Sequence, residues 1–328
     1  MRLIGLALAA VLLVAAPAWA GDVGFEQFQI ANPDGKPFTI GVWYPTEAKA
    51  SAQPLETFTQ DVALDAPVAG GRRLALVVMS HGSGGSFAGH YDTALALAKA
   101  GFVAAAITHE GDSYDDQTRV VQIWRRPAQL KRLVDFMLVE WSGRDRIDPA
   151  RIGAFGFSAG GFTVLVAAGG TPDLSATTPY CAGHAKTFTC QIIAKGPADV
   201  QAGVGLPASA WIHDARIRAI VAAAPALGFA FGKSGLKDVR VPVQLWRAEF
   251  DHVLPSPDYA DAVNADLPVK PEFHVAPNAD HYDFIAPCSE GLAQHAPDIC
   301  QERPGFDRAA FHASFDTDVV SFFKRTLK

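Results

Sequence analysis

Charge is scarce in this chain. Asp, Glu, Lys and Arg make up 19% of its 328 residues, against 49% hydrophobic residues. That balance argues for a large core and excludes a disordered chain. Basic residues are in the minority, with 28 Lys and Arg against 34 Asp and Glu, a formal net charge of −6. Without a basic footprint, nucleic acid is not an expected partner. Beyond the first residues no stretch is long and apolar enough to cross a bilayer. There is no internal repeat and no low-complexity tract, which removes repeat arrays from consideration. Cysteine is limited to Cys181, Cys190, Cys288 and Cys300. None forms the close Cys-x-x-Cys pair of a zinc site, so no metal is expected.

What is present begins with the leader. "MRLIGLALAAVLLVAAPAWA" has Arg2, an apolar run from Leu3 to Ala16, and Ala18-Trp19-Ala20. This is the pattern of a secretory signal cleaved after Ala20, over residues 1–20. The apolar run is short for a membrane anchor. No cysteine follows Ala20, which argues against lipid attachment there. The expectation is a periplasmic or secreted protein with no stable membrane anchor. In an oxidising compartment, four cysteines suggest two disulfides. Three pairings are possible, and proximity favours Cys181–Cys190 and Cys288–Cys300.

The mature chain alternates short apolar runs with helical patterns. "FEQFQI" and "FTIGVWYPT" read as strands around the turn "NPDGKP", and a polar connection then runs to about Arg73. "LALVVMS", "FVAAAIT", "RIGAFGF", "IRAIVAAAP", "VPVQLWRAEFD" and "EFHVAPNADH" carry further strands. "YDTALALAKAG" is a helix stopped by Gly101. Pro127 opens another, with Leu130, Leu133, Val134, Met137 and Leu138 on one face. Residues 309–327 form a last helix striped by Phe311, Phe315, Val319, Phe322 and Phe323. This rhythm predicts an α/β fold, a mostly parallel central sheet with helices on both faces. Length alone permits two domains, but one domain over residues 21–328 fits equally well. A segment of about 169–216, rich in Gly, Pro, Ala and Thr, reads as an insertion between a helix and the next strand.

One corner carries chemistry. In "AFGFSAGGF", Ser158 stands between a strand and a helix, with Gly156 two before it and Gly160 two after. A turn that sharp strains its corner residue, and small neighbours relieve the crowding. This is the nucleophile elbow Gly-x-Ser-x-Gly, which lifts a serine oxygen above a sheet edge. The alternative is a glycine-rich turn that merely packs a helix on a sheet. A serine hydroxyl needs a base, itself held by a carboxylate, and the chain order in such folds is Ser, acid, His.

Asp251 follows a late strand, with Glu249 as a rival that falls within the strand. His281 follows the last strand. His274 lies inside that strand, His252 beside the acid, and His295 and His312 later. The catalytic trio expected is therefore Ser158, Asp251 and His281. Oxyanion donors are the backbone N–H groups of Ala159 and of Ser83 in "SHGSGG", with His81 ordering that loop. The loop "HEGDSYDD" (109–116) is expected to hold solvated carboxylates.

These stretches together resemble the α/β-hydrolase superfamily. They look most like exported bacterial proteins described as predicted dienelactone hydrolases, close to platelet-activating-factor acetylhydrolases. The motifs that carry the likeness are "VWYPT", "SHGSGG", "RIGAFGFSAGG", "LWRAEFD", "ADHYDFIAPC" and "DRAAFH". The resemblance implies hydrolysis of a carboxylic ester; the triad implies an acyl-enzyme with no cofactor, and a small soluble ester is expected because no amphipathic membrane-binding helix stands out. Serine stands where dienelactone hydrolases carry cysteine, which points away from dienelactones. Amide hydrolysis, acyl transfer to an alcohol, and a binding protein on an inactive hydrolase scaffold are the rival readings.

Overall fold

The first strands build one wing of the sheet, with β2 buried almost throughout. The computed structural model describes residues 21–33, 35–196 and 206–328, so the expected leader lies outside the described residues. Strand β1 (Asp22–Ile30) pairs antiparallel with β2 (Phe38–Thr46), Phe25 opposite Trp43 and Ile30 opposite Phe38. The stretch read as a polar connection instead folds as a hairpin, β3 (Ser51–Leu55) and β4 (Phe58–Leu64). Half of its residues face solvent, and Pro54 sits inside β3. A proline is tolerated there because β3 is the edge strand of the sheet.

The apolar runs form the other six strands. These are β5 (Leu74–Ser80), β6 (Val103–Ile107), β7 (Ile147–Phe157), β8 (Ile217–Ala223), β9 (Val243–Ala248) and β10 (Glu272–Ala276). They pair in parallel, and β2 joins them antiparallel to β6. The sheet order is β10-β9-β8-β7-β5-β6-β2-β1-β4-β3. Parallel strands need crossovers, which helices supply: α1 (Tyr91–Lys99) after β5, α2 (Arg126–Val139) after β6 and α3 (Ala159–Ala167) after β7. Then come α4 (Thr177–Gly183), α5 (Phe188–Lys195), α6 (Gly232–Leu236), α7 (Ala260–Asp266), α8 (Glu290–His295) and α9 (Arg308–Thr326).

The pleat of the sheet divides the core in two. Leu76, Val78, Ile152 and Ala154 face α2 and α3. Their neighbours Val77, Met79, Phe155 and Phe157 face α1 and α9. On α9 the expected stripe is buried at Phe315, Val319, Phe322 and Phe323, with Phe311 at its edge. Each buried phenyl contributes roughly 1.5–3 kcal/mol. Both favoured disulfides are formed, with Cα–Cα separations of 5.4 Å for Cys181–Cys190 and 5.8 Å for Cys288–Cys300. This is the α/β-hydrolase fold that the sequence leads one to expect.

Candidate active site

Strand β7 passes into α3 through Ser158, whose φ of +54° and ψ of −116° lie outside the ordinary regions for a residue with a side chain. Such a conformation costs on the order of 1–3 kcal/mol and persists only where its surroundings enforce it. Three backbone bonds enforce it here. The Ser158 N–H donates to Ala223 O (2.9 Å), and its carbonyl accepts from Phe162 N (3.1 Å) and Ala226 N (3.0 Å). The crowding is visible at the flanking glycines. A methyl on Gly156 would collide with the Gly160 carbonyl, and one on Gly160 with the Ser80 carbonyl.

His281 and Asp251 meet this serine from the ends of β10 and β9. Glu249 N to Ala276 O and Phe250 N to Ala279 O, both 3.0 Å, zip the two loops together. His281 opens a short 3₁₀ turn, His281–Phe284, closed by reciprocal bonds between Asp280 and Asp283. Its Nε2 lies 3.1 Å from Ser158 Oγ and its Nδ1 2.8 Å from Asp251 Oδ2. A carboxylate only accepts, so Nδ1 carries the proton and Nε2 is left to accept from the hydroxyl. The other carboxylate oxygen accepts from Val253 N (3.0 Å) and Leu254 N (2.6 Å), which fixes its aim. Ser158, Asp251 and His281 are 8%, 7% and 1% exposed, so the chain of bonds is nearly shielded from water.

The rivals fall elsewhere. Glu249 is exposed, and its carboxylate accepts from Asn278 N at 2.8 Å. His252 pairs with Asp280 at 2.6 Å on the surface. His274 stacks on Trp246, and His295 binds the Gly291 carbonyl of its own helix. His312 is buried against Asp92.

On the opposite side of Ser158 lies the loop after β5. A methyl on Gly82 would stand 3.2 Å from Ser158 Cβ and 3.1 Å from the Phe157 ring, which measures how closely this backbone approaches the elbow. Ser83 follows, half-buried. Ala159 is the first residue of α3, where N–H groups have no partner within the helix. His81 donates from Nδ1 to Gly82 O, and its Nε2 accepts from His109 N (3.0 Å). Burial and then the charge of Arg126 hold its pKa well below the usual histidine value. With both nitrogens engaged, it orders the loop and has no free base to offer.

The 109–116 loop departs from expectation. Asp112 is buried, not solvated, because it forms an ion pair with Arg126 at 2.5 Å. Asp115 is exposed, as expected. No motif in the sequence marks Arg126. The one available signal was an arginine immediately before the proline that opens α2, where a cation opposes the helix dipole.

Over the other rim, the chain between α3 and β8 brings Tyr180 of α4 onto Phe229, ring centroids 3.8 Å apart. Together with Val253, Leu254, Tyr259 and Tyr282 they make an apolar cluster beside the Asp251 loop. Among the described residues, one group could gather a metal ion, Asp92, His312 and Asp316, with ligand atoms within 4.8 Å of one another. It includes none of Ser158, Asp251 and His281.

Comparison with known proteins bears on the fold. By fold the chain is an α/β hydrolase. A model of the dienelactone hydrolase family matches residues 61–205. A ferulic acid esterase from Streptomyces cinnamoneus shares the fold with a TM-score of 0.59 at 19% identity, over 96% of this chain and 92% of that one. No curated protein matches the chain. The family match and the shared fold support a carboxylic ester hydrolase.

Proposed function

We propose that this protein is an exported serine esterase that cleaves small carboxylic esters through an acyl-enzyme. Residues 21–328 would act as one catalytic domain, with 169–216 as an insertion in it. The observation that carries the reading is the bonded series Ser158 Oγ, His281 Nε2, His281 Nδ1, Asp251 Oδ2, with steps of 3.1 and 2.8 Å. Export is supported by the N-terminal pattern and by two disulfides. Among the described residues no helix is long and apolar enough to cross a membrane.

In this cycle Ser158 Oγ attacks the ester carbonyl carbon while its proton passes to His281 Nε2. The carbonyl electron pair moves onto oxygen, and the N–H groups of Ser83 and Ala159 stabilise that charge. Asp251 stabilises the imidazolium and holds its orientation. Collapse breaks the bond to the leaving oxygen, which takes the proton from His281 and departs as an alcohol. Water then gives a proton to the same nitrogen and attacks the acyl carbon. The carboxylic acid leaves as Ser158 recovers its proton.

The test is a panel of short-chain esters with a fluorophosphonate probe. Ser158→Ala is expected to fold, to escape labelling and to lose turnover by ~10⁴-fold or more. Retained turnover in a clean preparation, or failure of the folded parent to take the label, refutes the assignment. Amide substrates and an alcohol acceptor in the same panel separate esterase from amidase and acyltransferase.

A further inference from the structure

Arg126 is a buried cation that the reaction cycle does not use. It is 2% exposed and stands at the first residue of α2, the end where the helix dipole disfavours a positive charge. Burying such a group is costly unless its donors are matched. Here they are matched by three separate elements. Nη1 donates to Asp112 Oδ2 at 2.5 Å, in the loop after β6. Nη2 donates to the carbonyl of His81, in the loop after β5. Nε donates to Thr163 Oγ1 at 3.2 Å, on α3.

The partners hold the backbone on either side of Ser83 and the carbonyl of Ala159, the two residues whose N–H groups are assigned to the oxyanion. Asp112 uses its second oxygen to accept from Gly84 N at 2.9 Å. Ser83 is therefore bracketed, with the carbonyl of residue 81 bound directly by Arg126 and the amide of residue 84 bound through Asp112. Thr163 Oγ1 donates to Ala159 O at 2.7 Å, so the same guanidinium also reaches the first turn of α3. None of these bonds is to Ser158, His281 or Asp251.

We propose that Arg126 is a positioning residue whose planar fork sets the spacing between the Ser83 and Ala159 amides. The inference rests on the esterase reading above. Only a guanidinium has donors splayed enough to serve three elements from one buried point; an ammonium is a point charge with a different donor geometry. The two neighbouring imidazoles fit this picture. Burial, and after it Arg126 itself, keeps His81 and His109 neutral, so no second cation competes for the same acceptors. His109 is spent on structure, bonding Ser80 Oγ and Gln129 Oε1 at 2.8 Å each.

Misplacing an oxyanion donor by about 1 Å can cost ~10²-fold in rate. Arg126→Lys keeps the charge and loses the fork. On p-nitrophenyl acetate, counted per site titrated with fluorophosphonate, kcat is expected to fall ~10–100-fold with KM within about twofold. Inhibition by phenylboronic acid, whose serine adduct mimics the tetrahedral intermediate, should weaken in proportion. A merely structural role would lower the number of titrated sites and leave kcat per site and the boronate affinity unchanged. That result overturns the proposal.

Thr163→Val cuts only the link to α3, and it carries the test should Arg126→Lys fail to fold. It is expected to lower kcat per site several-fold at constant KM, and parental values would likewise overturn the proposal. A parent that cleaves no ester refutes the esterase reading, whereas an active parent with an equally active lysine variant refutes this inference alone.

Discussion

Two buried histidines in this protein each lean on an aspartate, and they differ in what faces the other ring nitrogen. His281 Nδ1 lies 2.8 Å from Asp251 Oδ2, and His312 Nδ1 lies 2.6 Å from Asp92 Oδ2. The Nε2 of His281 meets the Ser158 hydroxyl at 3.1 Å, whereas that of His312 meets the Asp283 carbonyl at 2.9 Å. A hydroxyl can donate, so a neutral His281 satisfies both of its partners and keeps a lone pair for a proton. A carbonyl only accepts, so His312 Nε2 carries a proton, and the Asp92 carboxylate beside Nδ1 favours a charged ring. Burial opposes that charge, but Asp92 outweighs it and raises the His312 pKa. The same pair of residue types therefore leaves a ring nitrogen open to a proton in one place and favours a fixed cation in the other.

The fixed cation is not idle. Asp283, whose carbonyl His312 binds, closes the turn that begins at His281, and Arg308 on α9 holds its side chain at 2.9 Å. One pair thus does the proposed chemistry while the other braces its platform. Substituting the two histidines breaks this comparison most sharply. His281→Ala should lower kcat by ~10⁴-fold or more and leave the folded protein intact. His312→Gln should keep kcat per folded molecule within about tenfold. It should instead destabilise by roughly 3–5 kcal/mol, the typical cost of stranding one member of a buried pair. Esterase assays beside thermal melts decide the matter, and equal activity losses in the two variants would erase the distinction.

The aspartates sharpen it. Asp251→Asn presents an amide where Nδ1–H needs an acceptor, favours the wrong tautomer, and should reduce kcat by about 10⁴-fold at unchanged melting temperature. Asp92→Asn should do the reverse, with a lower melting temperature and turnover per folded molecule within a few-fold. Melting the two variants in parallel with single-turnover assays tests both halves.

How much of this could be read in the chain follows from the range of each interaction. The elbow was legible because Gly156, Ser158 and Gly160 act on one another within five residues. Asp251 and His281 were legible because strand ends in such a sheet converge on one edge, so order along the chain implies proximity. The Arg126–Asp112 pair was not legible. It joins the loop after β6 to the first residue of α2 through a buried contact, and Asp112 stands three residues from Asp115, which does face solvent. The β3–β4 hairpin was missed because edge strands bury one face only, and Pro54 reads as a breaker. His312 was passed over as one histidine of ten; only its approach to Asp92 from another helix sets it apart.

The smallest predicted effect concerns the third member of the remote cluster. Asp316 on α9 accepts from Thr93 Oγ1 of α1 at 2.6 Å, and burial, then repulsion from Asp92, pushes its pKa up to about 7. Asp92 on α1 and His312 on α9 are the titratable groups that act on it, and His90, just before α1, acts on both of those. A carboxyl whose folded pKa lies above its ordinary 3.8 favours folding while protonated. That contribution is complete below about pH 4 and is lost as pH rises through about 7. Asp92 runs the other way: its depressed pKa contributes above the ordinary carboxylate range and is lost in acid. Asp316→Asn keeps an oxygen for Thr93 and can donate to Asp92, without ever acquiring charge. The variant should therefore melt a few degrees above the parent at pH 8, at about 2–4 °C per kcal/mol, and the gap should close towards pH 5. A gap that stays constant across that range, or one of opposite sign at pH 8, would mean that Asp316 is ionised throughout and that α1 and α9 are joined by charge and not by a shared proton.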